Sequence, residues 1–202
     1  MEHTKSKTGG FMKPGAWKAQ VGTFARQLAL PAQRQLFEYW IGRCTDESWP
    51  LREELRPADI KPLLPHLSLL EIKPLPEGVE VRLAGSALWD IYGGELTGST
   101  LVRGRWGRHL DYWRDIYSML AEAHVPMNGH LRNVNGSDHA ALFWLRLPLQ
   151  SRDGAPWLLG LDISVSISQL DTLLQRHAGE MEPPPCEIGP PPSSSGESGG
   201  WA

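Results

Sequence analysis

Alternation of apolar and polar residues is the clearest local pattern in this chain. Val79, Val81 and Leu83 alternate with Glu80 and Arg82, which is the period of a strand with one buried face. The turn sequence PLPEG at 74–78 separates this segment from the apolar run 67–72, as in an antiparallel hairpin. The turn sequence SRDG at 151–154 separates two later apolar segments in the same way. Five short strands are predicted, at 67–72, 79–83, 126–134, 140–149 and 156–165.

A helical period marks the segment 109–124. Leu110, Trp113, Tyr117 and Leu120 recur at spacings of three and four, and the intervening positions are mostly polar. The pattern predicts an amphipathic helix that ends before a proline. Further helices are predicted at 31–43, 87–92 and 167–177, with a short helical turn from Pro57 to just before Pro65.

The order of these elements favours an α+β fold: a five-stranded antiparallel sheet with helices covering one face, plus N-terminal and C-terminal helices. Odd-numbered apolar residues of the last two strands, such as Leu145 and Leu159, share one face that requires a cover. We expect the helix 109–123 to supply it, so that Trp113 and Tyr117 meet the odd-numbered residues. The set of candidate ligand-lining residues given below depends on this contact between helix and sheet.

The two ends of the chain differ in composition from its centre. Residues 1–27 are polar and Gly-rich, and residues 178–202 are rich in Pro, Gly and Ser. Such segments bury too little apolar surface to offset their ordering entropy, so both are predicted to be disordered tails. The predicted folded domain is 28–177.

Charge and composition exclude several classes of protein. The 20 basic and 23 acidic residues give a net charge of −3, which argues against nucleic-acid binding. No secretory signal or membrane-spanning apolar stretch is recognisable, so a cytoplasmic location without membrane association is expected. The two cysteines, Cys44 and Cys186, form no CxxC motif and predict no disulfide framework.

Several short motifs occur in order along the middle of the chain. They are PLREELRP at 50–57, LLPHL at 63–67, RLAGS at 82–86, ELTG at 95–98 and LRLPL at 145–149. Together they resemble a bacterial family of PAS-like proteins, often single-domain and found in alphaproteobacteria, over about residues 36–165. Ser86 departs from the threonine more usual in that family, and the two tails match nothing.

The resemblance implies a sensory or interaction domain that binds a small ligand between sheet and helices or only associates with protein partners, including a second copy. It supplies no reaction, because a fold alone does not fix a function. We expect the same apolar lining to form a ligand pocket or, alternatively, a close-packed core. The candidate lining residues are Trp89, Tyr92, Trp113, Tyr117, Phe143, Leu145, Trp157 and Leu159.

Cofactor chemistry has weak support in the sequence. In haem-binding PAS domains a histidine of the helix corresponding to 109–124 ligates iron, but His124 at a helix end is more typical of a structural role. A flavin photoadduct needs a cysteine beside the cofactor, and neither cysteine falls in the cavity segment. This test leaves a noncovalently bound flavin or another aromatic ligand open, so the cofactor is unknown. The histidine spacings match no metal motif, so no metal is predicted.

The leading hypothesis is therefore a sensory or regulatory module that binds a small ligand or a signalling partner and shifts a conformational or dimer equilibrium without catalysis. An interaction or dimerisation module with a solid core is the alternative. A small cone-shaped isomerase or dehydratase ranks below both, because it would need an acid/base pair inside the cavity.

Overall fold

A five-stranded antiparallel sheet forms the centre of the molecule, with strand order β2-β1-β5-β4-β3. The computed structural model describes residues 14–104, 106, 109–132, 140–166, 168, 169 and 172. The strands are β1 (Leu67–Ile72), β2 (Val79–Ala84), β3 (Met127–Arg132), β4 (Ala140–Gln150) and β5 (Pro156–Ser166). The predicted α+β fold and each predicted strand are confirmed.

Five helices lie within the described residues, together with two 3₁₀ segments at Arg52–Glu54 and Pro57–His66. Helix α3 starts at Pro31, where the fixed φ of proline suits a first turn, and the Gln33 side chain accepts a hydrogen bond from the Leu30 N–H (3.1 Å). The helices are α1 (Pro14–Lys18), α2 (Val21–Arg26), α3 (Pro31–Ile41), α4 (Ala87–Tyr92) and α5 (Leu110–Ala123).

Helices cover both faces of the sheet. One face, here called the α5 face, packs against α4 and α5. The opposite α3 face packs against α1, α2, α3 and the 3₁₀ segment 57–66. The α5 face presents Leu70, Leu142, Trp144 and Leu158, and the α3 face presents Leu145, Leu147, Leu149, Trp157, Leu159 and Leu161.

The expected cover of the odd-numbered strand residues is therefore wrong. Trp113 and Tyr117 of α5 pack on the α5 face, whereas Leu145 and Leu159 lie on the α3 face under α3. Both faces of β4 are buried and apolar, so its side-chain alternation cannot tell which face meets which helix. The odd-numbered strand residues are covered instead by aromatic side chains of α1, α2 and α3, which precede the sheet in the sequence.

The predicted tail over 1–27 is wrong from Pro14 onward. Trp17 of α1 and Phe24 of α2 are buried in the core of the α3 face, where their ring centroids lie 5.4 Å apart. Burying two large aromatic side chains repays the ordering entropy of these short helices. Residues 1–13, the predicted tail 178–202 and most of the predicted helix 167–177 lie outside the described residues.

Candidate functional site

A buried ion pair lies at the centre of the α5 face. Arg146 of β4 and Asp162 of β5 are 1% and 2% exposed, and Nη2 of the arginine lies 3.0 Å from Oδ1 of the aspartate. The two strands pair so that Arg146 faces Gly160. Because Gly160 has no side chain, the guanidinium reaches across β5; a Cβ there would lie 3.2 Å from Arg146 Nη1.

Two tyrosines from the helices complete this site. Arg146 Nε donates to the Tyr117 hydroxyl (3.2 Å), and the Tyr92 hydroxyl donates to Asp162 Oδ1 (3.3 Å). The guanidinium also lies 5.0 Å from the ring centroid of Trp113. The ion pair thus connects the sheet to both α4 and α5 through hydrogen bonds and a cation–π contact.

Burial and mutual attraction set the protonation states of this site. Burial raises the pKa of Asp162, and the adjacent guanidinium only partly offsets this effect. Burial alone would lower the pKa of Arg146, but the Asp162 carboxylate and the hydroxyls of Tyr117 and Tyr92 together outweigh burial and raise it, so the arginine stays charged. Burial raises the pKa of both Tyr92 and Tyr117, which therefore stay protonated, and Tyr92 can donate to Asp162.

A buried hydroxyl lies next to the ion pair. Ser68 of β1 pairs directly with Gly160, so the side chains of Ser68 and Arg146 flank this glycine on the same face. Ser68 is buried, and its Oγ has no hydrogen-bond partner within the described structure. His66 Nδ1 shares this property, and the histidine lies close enough to Asp162 to lower its pKa slightly.

A cleft of about 320 Å³ opens beside this row of residues. Ala84 belongs to both, because it lines the cleft and pairs with Ser68 across β1 and β2. Trp89 of α4 lines the same cleft with 56% of its surface exposed. The remaining lining residues are Gly85, Ser86, Gly94, Glu95 and Leu96.

A family model described as the PAS domain matches residues 28–162. This match covers more than half of the 202-residue chain. The chain belongs to the PAS domain family. It is therefore a sensory signalling module, and helices α1 and α2 lie outside the part that the family model matches.

Solved structures similar to this PAS domain include other sensory domains. The PAS domain of BvgS from Bordetella pertussis has 14% identity and a TM-score of 0.41, covering 58% of this chain and 90% of its own. The LOV domain of the blue-light photoreceptor Aureochrome1 in its light state has 14% identity and a TM-score of 0.39, with coverage of 62% and 99%. A light-oxygen-voltage domain examined with a flavin analogue has 15% identity and a TM-score of 0.39, with coverage of 61% and 96%. No curated protein matches.

The eight predicted lining residues divide between the two faces of this PAS domain. Tyr92, Trp113 and Tyr117 gather around Arg146 as described, and Trp89 lies at the cleft. The other four do not join them. Leu145, Trp157 and Leu159 lie in the core of the α3 face, and Phe143 packs beside it with Leu30 and Ala141.

Sequence analysis missed Arg146 and Asp162. Both occupy even-numbered positions, on the face of the last two strands opposite the one for which a helical cover is predicted. A signal was present, because residues 141–149 are almost uninterruptedly apolar, and such a strand is buried on both faces. On a strand of that kind a charged residue is buried, and a buried charge requires a partner.

His124 has a structural position at the end of α5. Its backbone adopts a left-handed conformation (φ 49°), and its N–H donates to the Leu120 carbonyl (2.9 Å). Because the Leu149 carbonyl can only accept, Nε2 of the imidazole donates to it (3.2 Å). Burial lowers the pKa of this histidine to about 4, so it is neutral near pH 7.

The other side chains considered for cofactor chemistry are the metal-ligating residues and the two cysteines. No three metal-ligating side chains converge among the residues placed by the structure. Cys44 packs against the core of the α3 face, where burial raises the pKa of its thiol to about 12, and Cys186 lies outside the described residues. Among those residues, no helix is long and apolar enough to cross a membrane.

Proposed function

We propose that this PAS domain is a cytoplasmic input module that binds a small ligand between its sheet and helices α4 and α5. The Arg146–Asp162 pair anchors the ligand. Binding shifts the populations of two arrangements of the α4–α5 cover, and a separate signalling protein or a second copy of the chain responds to that shift. The module carries out no reaction itself.

The observation that supports this proposal is the burial of two charges in an otherwise aromatic core. Removing an ion pair from water costs several kcal/mol per ion, and apolar side chains of similar volume often stabilise a core equally well. The Arg146–Asp162 pair is therefore a poor means of stabilising the α5 face. It does provide polar groups of the kind that orient a ligand in an apolar pocket.

The position of α4 supports a conformational response. This six-residue helix bonds to Asp162 through Tyr92 and is followed by Gly93 and Gly94, both at positive φ. Glycine tolerates several backbone conformations at little cost, so the connection after α4 can adjust. A ligand that changes the partners of Asp162 would thereby change the position of α4.

The arrangement of acid and base groups favours binding over catalysis. An isomerase or dehydratase would need a carboxylate or imidazole free to exchange protons with a substrate. Asp162 instead binds Arg146 and Tyr92, and both buried tyrosines hold their protons. These contacts suit fixed recognition of a polar group.

Close packing favours one alternative, a protein-interaction module with a solid core. Trp113, Tyr117, Leu120 and Trp144 of the α5 face are each at most 1% exposed. In that case the ion pair would specify the packing of the helices, and partner proteins would bind the outer surface.

Native mass spectrometry and an absorption spectrum of the purified full chain separate these functions. The matched variant is the double substitution Arg146→Met/Asp162→Leu, which replaces both charges by apolar groups and leaves none unpaired. We expect bound small molecules, or thermal stabilisation by members of a metabolite panel, in the wild type and not in this variant. A ligand-free wild type that no panel member stabilises would refute the proposal and leave the interaction module.

A further inference from the structure

A row of residues across the α5 face indicates the chemical class of the ligand. Ala84, Ser68, Gly160 and Arg146 are successive cross-strand partners on β2, β1, β5 and β4. Directly paired residues project from the same face of a sheet. The row therefore leads from the cleft at Ala84 to the guanidinium. The side chains of Ser68 and Arg146 close over Gly160, where a Cβ would collide with Ser68 Oγ, so a ligand that reaches the guanidinium has to shift these two side chains.

Hydrogen-bonding groups are concentrated at the inner end of this row. Ser68 Oγ and Arg146 Nη1 both lie within 3.2 Å of the point where a Cβ on Gly160 would stand. Of the five N–H donors of the guanidinium, Nε donates to the Tyr117 hydroxyl and Nη1 donates to the carbonyls of Leu145 and Leu161. Nη2 uses one of its two N–H groups for Asp162, which leaves the other one for a ligand. A hydroxyl beside a guanidinium is a donor set that suits a carboxylate, because both groups can donate to its oxygens.

The outer end of the row is apolar and open. The cleft beside Ala84 has a volume of about 320 Å³ and is lined by the exposed ring of Trp89 and by buried Leu96. The guanidinium lies over β5, two strand spacings from β2, and two spacings amount to about 10 Å. A ligand that touches both ends needs a polar head and an apolar body of about that length.

We propose, building on the function above, that the ligand is a small monocarboxylate with an apolar or aromatic body. Its carboxylate accepts hydrogen bonds from Ser68 Oγ and the Arg146 guanidinium above Gly160. Its body extends past Ala84 into the cleft and contacts the ring of Trp89. The carboxylate competes with Asp162 for the same guanidinium, and this competition couples binding to Tyr92 and helix α4.

Isothermal titration calorimetry on the full chain tests this inference with 3-phenylpropionate and hexanoate, and with the corresponding amides as neutral controls. We expect the carboxylates to bind at least about tenfold more tightly than the amides, because a charge-assisted bond to arginine is stronger than a neutral one. Arg146→Met should abolish this preference. Equal binding of acid and amide, or binding of neither, would overturn the inference.

Two further variants separate a binding role from a structural one. Ser68→Ala removes a hydroxyl that bonds to nothing within the described structure, so the fold should tolerate it while carboxylate affinity falls. Asp162→Asn removes the competing charge at nearly constant shape and should raise carboxylate affinity about tenfold or more. Unchanged carboxylate affinity in both variants would contradict the assigned contacts, even if 3-phenylpropionate binds elsewhere.

Different experimental results refute the carboxylate inference and the proposed function. If native mass spectrometry shows a neutral ligand whose binding depends on Arg146, and the carboxylates do not bind, only the carboxylate inference is lost. If no ligand binds at all and no panel member stabilises the wild type, both the inference and the proposed function are refuted.

Discussion

The two faces of the sheet are both covered and both aromatic, but they contain different chemistry. The α3 face packs Trp17, Phe24, Phe37, Trp40 and Trp49 onto leucines. Its rings form an almost continuous set of edge, tilted and stacked contacts, with centroid distances from 5.2 Å to 6.4 Å. The α5 face has comparable aromatic content but also encloses a charged pair.

This difference indicates a division of tasks. Apolar burial stabilises a fold at about 25 cal/mol per Å², without requiring directional partners. The α3 face follows this rule and carries much of the stability. The α5 face departs from it at Arg146 and Asp162, where burial is costly and every polar contact is directional. Departures of this kind are expected at functional sites.

The largest expected effect tests the α3 face. Trp40 is fully buried, stacks on Trp49 and donates its indole N–H to the Pro148 carbonyl at 2.7 Å. Trp40→Ala should lower the free energy of unfolding by about 3–5 kcal/mol, since it opens a large cavity. Chemical denaturation followed by circular dichroism measures the change.

Trp40→Phe is the control for the indole hydrogen bond. It keeps most of the ring and leaves the Pro148 carbonyl without its donor, so a smaller loss of about 1–3 kcal/mol is expected. If Trp40→Ala cost less than about 1 kcal/mol, the α3 face could not be the main stabilising core.

The second prediction tests the α5 face. Asp162→Ala leaves the Arg146 guanidinium buried without its counter-ion and should cost about 3–5 kcal/mol in unfolding free energy. The double variant Arg146→Met/Asp162→Leu removes both charges and should differ from the wild type by less than about 1 kcal/mol, or be more stable. The same denaturation measurement compares the two variants.

A double variant as unstable as Asp162→Ala would show that the ion pair stabilises the α5 face after all. The contrast assigned to the two faces would then be wrong, and the argument that the pair is retained for binding would lose its basis.

Much of the architecture could be predicted from local sequence patterns. Strand β1 has the predicted bounds 67–72 because it is an apolar run bounded by proline and turn residues. Helix α5 has nearly the predicted length because its helical period is clear and a proline follows it. The N-terminal helices were missed because they are short and lack a clear period. Only their tertiary contacts, above all the burial of Trp17, make them stable.

The site was harder to predict for a different reason. Helix α5 has a clear apolar stripe, but the sequence gives no measure of which sheet face it meets. Phe143 and Trp144 are equally plausible partners for such a stripe, and they lie on opposite faces. The ion pair joins residues 16 positions apart on neighbouring strands, so it forms only in the observed register of β4 and β5. The turn 151–154 sets this register, and the sequence alone does not show which register it sets.

The third prediction concerns His124, which links the two faces: it ends α5 and binds the backbone of Leu149, whose side chain belongs to the α3 face. Burial lowers its pKa from 6.5 to about 4. Between pH 6.5 and about pH 4 this histidine is protonated in the unfolded chain and neutral in the folded chain. The unfolding free energy should therefore fall as pH falls through this window, by up to about 3 kcal/mol in total.

Thermal denaturation from pH 7 to pH 4 measures this effect, with His124→Asn as the control. Asparagine tolerates the left-handed backbone at this position and does not titrate. The variant should lose the contribution of this histidine, so its melting temperature should depend less on pH. Identical pH profiles for variant and wild type would show that His124 does not govern stability in this range.

The smallest expected effect on stability, and the sharpest contrast with Trp40, concerns Trp89. The two residues have the same side chain, but Trp89 is largely exposed and lines the cleft at the outer end of the ligand row. Trp89→Ala should change the unfolding free energy by no more than about 0.5 kcal/mol, as for most surface substitutions. The affinity for 3-phenylpropionate should nevertheless fall, and more than that for hexanoate, because only the aromatic ligand loses a ring–ring contact. A large loss of stability with unchanged affinity would place Trp89 in the structural core and remove the cleft from the binding site.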